Sequence, residues 1–212
     1  MKVRANQYSS SHLFEGDRIK YQLMKEEIIV QFVVFETTLD SEEFLLRWGQ
    51  YEQPVHNDTR VTLQKHTMKN GKFKYVSQHR CSPEDFQFVF DRERKKTRTA
   101  EAEVRKKLAG GYKPVHLESS GAAKPGENKI ILFAPDPRTD LNSFMQFTGR
   151  GRMNIYEAYF ENCEYAYIFE FFVKNENPGG IVQELKSLTS HAEAGVYKEF
   201  IYPQFVSARN MD

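Results

Sequence analysis

Past its first two dozen residues, the chain spells one order of elements twice: strand, helix, strand, strand, helix, strand. Each such unit makes a four-stranded antiparallel sheet with its helices on one face. The other face of each sheet is left bare and has to be covered. Two copies in one chain can cover each other, and this constrains the fold more than any single motif does.

The first copy opens with Ile28-Ile29-Val30-Gln31-Phe32-Val33-Val34-Phe35. This run is β-branched and aromatic on both faces, as a strand covered on both sides is, and Gln31 alone breaks it. Asp40-Ser41-Glu42-Glu43 then reads as a helix cap, followed by Phe44, Leu45, Trp48 and Tyr51 at helical spacing. Residues 60–68 and 72–80 flank Asn70-Gly71, a strong hairpin signal. Ser82-Pro83-Glu84-Asp85 caps a second helix carrying Phe86, Val89 and Phe90. The charged run Arg92 to Lys107 reads as its solvated continuation, Gly110-Gly111 as its stop, and Tyr112 to Leu117 as the closing strand. The second copy runs through a strand at Lys129 to Ala134 and a short helix with Leu141, Phe144, Met145 and Phe147. A hairpin follows, Arg152 to Phe160 and Cys163 to Val173. Asn177-Pro178 begins a helix, and Val196 to Tyr202 is the last strand, after Gly195.

Between the copies, Ser119-Ser120-Gly121-Ala122-Ala123-Lys124-Pro125-Gly126 has the composition of a flexible linker. The expected organisation is an N-terminal extension over 1–24 that could form an added hairpin, a first half over 25–118, a linker over 119–127 and a second half over 128–212. The expected fold class is α+β: two ferredoxin-like βαββαβ halves packed as an internal pseudo-dimer, an α+β barrel.

Composition narrows the function classes. Thirty Lys and Arg against 29 Asp and Glu leave a net charge of +1, so no global field draws in nucleic acid or an anionic membrane. The two cysteines, Cys81 and Cys163, lack metal-ligand spacing and read as reduced thiols of a cytoplasmic protein. The N-terminus has no apolar core of a signal peptide, and no apolar run approaches the ~20 residues of a membrane span. No phosphate-loop, dinucleotide or His-Glu-x-x-His pattern occurs, and no metal is expected.

Two hairpins carry the candidate chemistry. A two-residue Asn70-Gly71 turn would set Lys69 against Lys72 and His66 against Tyr75. Thr62, Gln64, His66, Met68, Phe73, Tyr75, Ser77 and His79 would then share one face. That face mixes aromatics with hydrogen-bonding groups, and His66 and His79 titrate near neutrality. Its plainer reading is a partly solvated sheet face. In the second hairpin, setting Phe160 against Cys163 puts Tyr156, Ala158, Phe160, Tyr165, Tyr167, Phe169 and Phe171 on a helix-facing side. Glu157, Tyr159 and Glu170 then fall on the other. A desolvated glutamate there would serve as a general base; the plainer reading pairs both glutamates with basic side chains or water. A one-residue slip would invert either assignment. The candidate catalytic groups are His66, His79, Glu157 and Glu170, and the candidate ligand-binding groups are Gln64, Tyr75, Trp48 and Tyr159.

Val33 to Trp48, a strand, an acidic turn and a helix with Phe and Trp, resembles the start of dimeric α+β barrel domains. These are the antibiotic-biosynthesis-monooxygenase-like, EthD-like and stress-responsive barrel proteins. Tyr75 to Phe86, a strand running into a Ser-Pro-Glu-Asp-Phe helix start, looks like the matching passage there. The resemblance covers roughly a quarter of the chain. It implies a barrel of two sheets and a small-molecule pocket. Haem-binding members exist, but the sequence offers no clear axial ligand, and no cofactor is expected. The resulting expectation is a small-molecule-binding barrel, in its enzymatic form a cofactor-independent monooxygenase. Such a chain would be a monomer, or a dimer through its outer surface. The alternative is a non-catalytic module binding single-stranded RNA or a protein, through the basic stretch beside Phe73 and Tyr75.

Overall fold

The computed structural model describes residues 28–37, 39–40, 62–68, 75–83, 86, 104–119, 123–161, 163–174 and 177–200. Eight strands run in chain order: β1 (Ile29–Thr37), β2 (Thr62–Met68), β3 (Tyr75–Cys81), β4 (Val104–Leu117), β5 (Asn128–Ala134), β6 (Gly151–Ala158), β7 (Tyr167–Val173) and β8 (Glu193–Phe200). They close into an antiparallel α+β barrel in the order β1-β3-β2-β8-β5-β7-β6-β4. β4 pairs with β1 to complete the ring. Read in halves, the neighbour order is 4-1-3-2 and then 8-5-7-6, the same permutation shifted by four. The halves meet at two seams, β2 against β8 and β4 against β6.

The second half follows its sequence closely. Helix α1 (Leu141–Met145) is capped by Asp140, whose side chain accepts from the Asn142 amide, and continues as a 3₁₀ turn over Gln146–Arg150. Helix α2 (Pro178–Ser187) has Asn177 as its cap and Pro at its start, as the Asn-Pro pair indicates. Ile181, Val182 and Leu185 of α2 and Phe144 of α1 pack with Ile130, Leu132, Ile155 and Phe169. Phe144 stacks on Phe169 with ring centroids 4.2 Å apart. This is the outer, helix-covered side of the barrel wall.

The inner side is a separate core made only from strands and their ends. It holds Val30, Phe32, Val34, Val76, Tyr112, Ile131, Phe133, Tyr156 and Ile168. Phe32 meets Tyr112 and Tyr156 edge to face. An eight-stranded barrel has an interior of about this capacity, which side chains fill.

Four expectations are corrected. In the first hairpin, Thr62 pairs with Arg80, Gln64 with Gln78, His66 with Val76 and Thr67 with Tyr75. Paired numbers therefore sum to an even value and the loop has an odd number of residues, which a two-residue Asn-Gly turn cannot give. In the second, Asn154 pairs with Glu170 and Tyr156 with Ile168, again one residue away from the expected register. Its strands are also shorter than the sequence suggests, ending at Ala158 and resuming at Tyr167. Third, Val104 to Lys107 are strand, not helix, and Gly110-Gly111 does not end an element. The pair lies inside β4 beside a register shift at Phe32 and Val33, with Gly110 at φ +127°. The part of the basic run before residue 104 lies outside the described residues. Fourth, the last strand begins before Gly195, at Glu193.

The stretch read as a flexible linker is anchored at both ends. The Ser119 amide donates to Asn154, and Arg152 donates to the Ser119 hydroxyl and to Glu127. Burial alone would push the Glu127 carboxyl up. Hydrogen bonds from Arg152 and the Lys124 backbone, with the Arg152 charge, overcome it and hold the carboxyl below its usual value. A carboxylate with a depressed folded-state pKa stabilises the fold above its unfolded pKa. That contribution is lost as pH falls through the folded value. Melting temperature followed through the acid range should therefore fall less steeply for Glu127→Gln than for the parent. Parallel curves would remove Glu127 from the acid response.

Candidate functional site

The inner wall carries one polar cluster within its apolar lining. Lys129 stands second in β5, Gln78 in the middle of β3, Asn154 and Tyr156 in β6, and Glu170 in β7. All five are at most 1 % exposed. Alternation of side chains along each strand turns them inward with Ile131, Val76 and Ile168.

Glu170 is the hub. Its Oε1 accepts from Lys129 Nζ and from Gln78 Nε2, both at 2.6 Å. Its Oε2 accepts from the Tyr156 hydroxyl at 2.7 Å and from Asn154 Nδ2 at 2.9 Å. Lys129 also reaches Gln78 Oε1 at 3.4 Å. A carboxylate held by four donors is fixed in position and cannot take a proton without giving one of them up. Burial first, then the Glu170 charge, push the Tyr156 hydroxyl well above the usual tyrosine range, so it stays a donor.

The cluster connects to the barrel rim. Asn154 Oδ1 accepts from the backbone amides of Glu118 and Ser119. The Phe172 ring lies between two cations, with Lys129 Nζ 5.3 Å and Arg152 Cζ 4.9 Å from its centroid. Lys129 and Arg152 are both cross-strand partners of Phe172, so the two cations share one polar end of the inner wall. Arg80, opposite Val30 in the ladder, adds its charge near Tyr156, and the inner core beside the cluster is aromatic and aliphatic. The site is an aromatic lining with a charged, hydrogen-bonding end, a composition suited to a planar organic molecule with a polar substituent.

The expected site residues are dispersed. Glu170 is central to the cluster. Gln64 and His66 lie on β2, in register with Gln78 and Val76. His79 is opposite Gln31 and Leu63 in the ladders. Tyr75 is buried on the outer side and donates to the Leu39 carbonyl at 3.2 Å. Glu157 is on the outer side too, 3.4 Å from the Tyr167 hydroxyl, and so is separated from Glu170. Tyr159 lies just past β6, edge to face with Phe160. Trp48 lies outside the described residues. Lys129, Gln78, Asn154 and Tyr156 were not anticipated. The signal for them was one polar residue at an inward position of each strand, legible only with the register known.

Among the described residues, no group of three or more His, Cys, Asp or Glu could hold a metal ion. His116, half-buried 3.4 Å from Glu118, and His191, exposed, are the histidines whose side chains are described. No helix among the described residues is long and apolar enough to cross a membrane.

No family model matches the chain, and no curated protein matches it. Solved structures do. An anthrone oxidase-like protein aligns with a TM-score of 0.55 at 11 % identity, over 84 % of this chain and 93 % of that one. A mutant chlorite dismutase from Candidatus Nitrospira defluvii aligns with a TM-score of 0.50 at 8 % identity, over 84 % and 95 %. Another mutant of that enzyme, in complex with cyanide, aligns with a TM-score of 0.50 at 10 % identity, over 86 % and 95 %. At these identities the likeness is one of fold, the α+β barrel.

Proposed function

We propose that the protein is a small-molecule-binding α+β barrel, and that its ligand is a planar aromatic compound held by the polar end of the inner wall. The observation that carries this reading is the Lys129–Glu170–Gln78–Asn154–Tyr156 cluster on the inner wall of the barrel. In this reading the chain is an internal pseudo-dimer of two ferredoxin-like halves, supported by the repeated strand order and the two matching seams.

The enzymatic form of the reading is cofactor-independent oxygenation. An activated CH₂ loses a proton to a protein base, and the resulting carbanion reduces dioxygen. Its carbon becomes a carbonyl, and the second oxygen atom leaves as water. Glu170, with four donors, serves as the anchor of the hydrogen-bonding end. Lys129 stabilises negative charge on the ligand oxygen, while Tyr156 and Asn154 hold the Glu170 carboxylate in place. His66, on the strand beside Gln78, is the candidate base, with Gln64 as an orienting group. His79 and Glu157, at outer-side positions, have no part in this arrangement. The alternative, a non-catalytic module binding single-stranded RNA or a protein, rests on the basic stretch, of which Arg105, Lys106 and Lys107 lie in β4.

Anthrone is a suitable probe: it is planar and aromatic, has an activated CH₂, and yields anthraquinone and water with one dioxygen. It should raise the melting temperature of the full chain. In air, the chain should also speed anthraquinone formation above the buffer rate. Tyr156→Phe removes one of the four donors that fix Glu170 and should reduce the rate about tenfold, the loss a displaced positioning group brings. A thermal shift without turnover would leave a binding protein. The absence of both effects would sink the reading.

A further inference from the structure

The outer side of the first half holds polar atoms that the inner cluster does not explain. Gln31 is fully buried in the middle of β1, yet neither its amide nitrogen nor its amide oxygen has a hydrogen-bond partner. Ser77 on β3 is 1 % exposed, and its hydroxyl likewise has none. The ladder sets Gln31 opposite His79 and Val33 opposite Ser77, so Gln31 and Ser77 are diagonal neighbours on one face. Diagonal pairs lie about 7–8 Å apart at the backbone, within the span of one small molecule. Ile29 and Val33 flank Gln31 on the same face of β1, and Phe86 packs against Ile29.

A buried amide with both ends unpaired is rare in a folded protein, because each end pays its desolvation without a return. A second orphan within reach of the first makes chance less tenable. Together they present one N–H donor, one carbonyl acceptor and one hydroxyl that serves as either, with no charge among them.

We propose that Gln31 and Ser77 form a second small-molecule position, outside the barrel wall, for a neutral ligand carrying a donor beside an acceptor. A primary carboxamide on an aromatic ring is the simplest such group. Its N–H and C=O pair head to head with the Gln31 amide, its second N–H reaches Ser77, and its ring lies on Ile29, Val33 and Phe86. This position is separate from the inner cluster, since the residues of the two sites point to opposite sides of the same strands.

Benzamide is the probe, and the full chain is the protein. Titration followed by ligand-observed NMR should show saturable binding, weakened at least tenfold by Gln31→Leu and by Ser77→Ala. A second readout needs no ligand. Gln31→Leu removes the orphaned amide at nearly constant volume, so the free protein should melt roughly 2–6 °C higher. Should Gln31→Leu melt lower than the parent, the amide is satisfied by structural water and the proposal is overturned. It is equally overturned if benzamide fails to bind, or binds both outer-side variants as it binds the parent. Failure with anthrone would leave this result untouched, since anthrone tests the inner wall.

Discussion

Lys129→Met should lower the melting temperature by roughly 6–15 °C. Lys129 and Glu170 are both wholly buried, with the ammonium 2.6 Å from the carboxylate. Removing one member strands the other charge, which costs about 3–5 kcal/mol. In a chain of this size each kcal/mol moves the midpoint by about 2–4 °C. The three neutral donors left on Glu170 place the loss toward the lower end of that range. The double variant Lys129→Met/Glu170→Met removes both charges. It also removes the acceptor of Gln78, Asn154 and Tyr156, and each newly unpaired group costs about 1–3 kcal/mol. Full recovery is therefore not expected, but the double variant should be more stable than the sum of the single losses. Thermal melts of the four proteins give the coupling directly. A Lys129→Met shift under 2 °C would mean that the pair is solvated in solution.

Gly111→Val should prevent stable folding at moderate temperature, and Gly111→Ala should already cost about 1–3 kcal/mol by overpacking. A Cβ at Gly111 would meet the Phe86 ring at 2.5 Å and the Phe160 ring at 3.1 Å. Those rings are themselves packed together, 4.8 Å between centroids, so neither has room to withdraw. Gly110 is constrained twice. Its φ of +127° suits only glycine, and a Cβ would lie 2.6 Å from Cys163 Sγ. The useful control is Gly126→Ala. It has a positive φ but nothing within 4 Å of its Cβ, so it isolates backbone strain from crowding. Comparable losses at positions 111 and 126 would contradict the crowding argument.

The sequence made the second half legible because its signals are local. Asn177-Pro178 caps a helix whatever surrounds it, and the apolar run from Lys129 to Ala134 has the length and branching of a buried strand. Gly110-Gly111 misled for a physical reason: glycines that admit Phe86 and Cys163 look the same in a sequence as glycines that end a helix. The polar cluster was hidden for a different reason. Its five members come from four strands, and which strand face is inner depends on registers that an odd-length loop shifts by one. That shift moved Glu157 and Glu170 to opposite sides of the wall and brought Asn154 and Tyr156 in beside Glu170. Gln31 was visible as the lone polar residue of its run, but nothing local could show that its amide would go unpaired.

The two seams, β2 with β8 and β4 with β6, bear on how the chain is made. Translation delivers β1 to β4 first, and both outer strands of that sheet wait for partners near the C-terminus. β8 is the last of the described strands, so the ring cannot close until about residue 200 has left the ribosome. Until then the nascent sheet has two open edges, the kind of surface that recruits other strands. On a crowded polysome the nearest matching strands belong to neighbouring copies of the same message. Exchange of C-terminal halves between nascent chains is the characteristic error open to this architecture, and its yield should follow translation speed and ribosome spacing rather than the stability of the finished barrel.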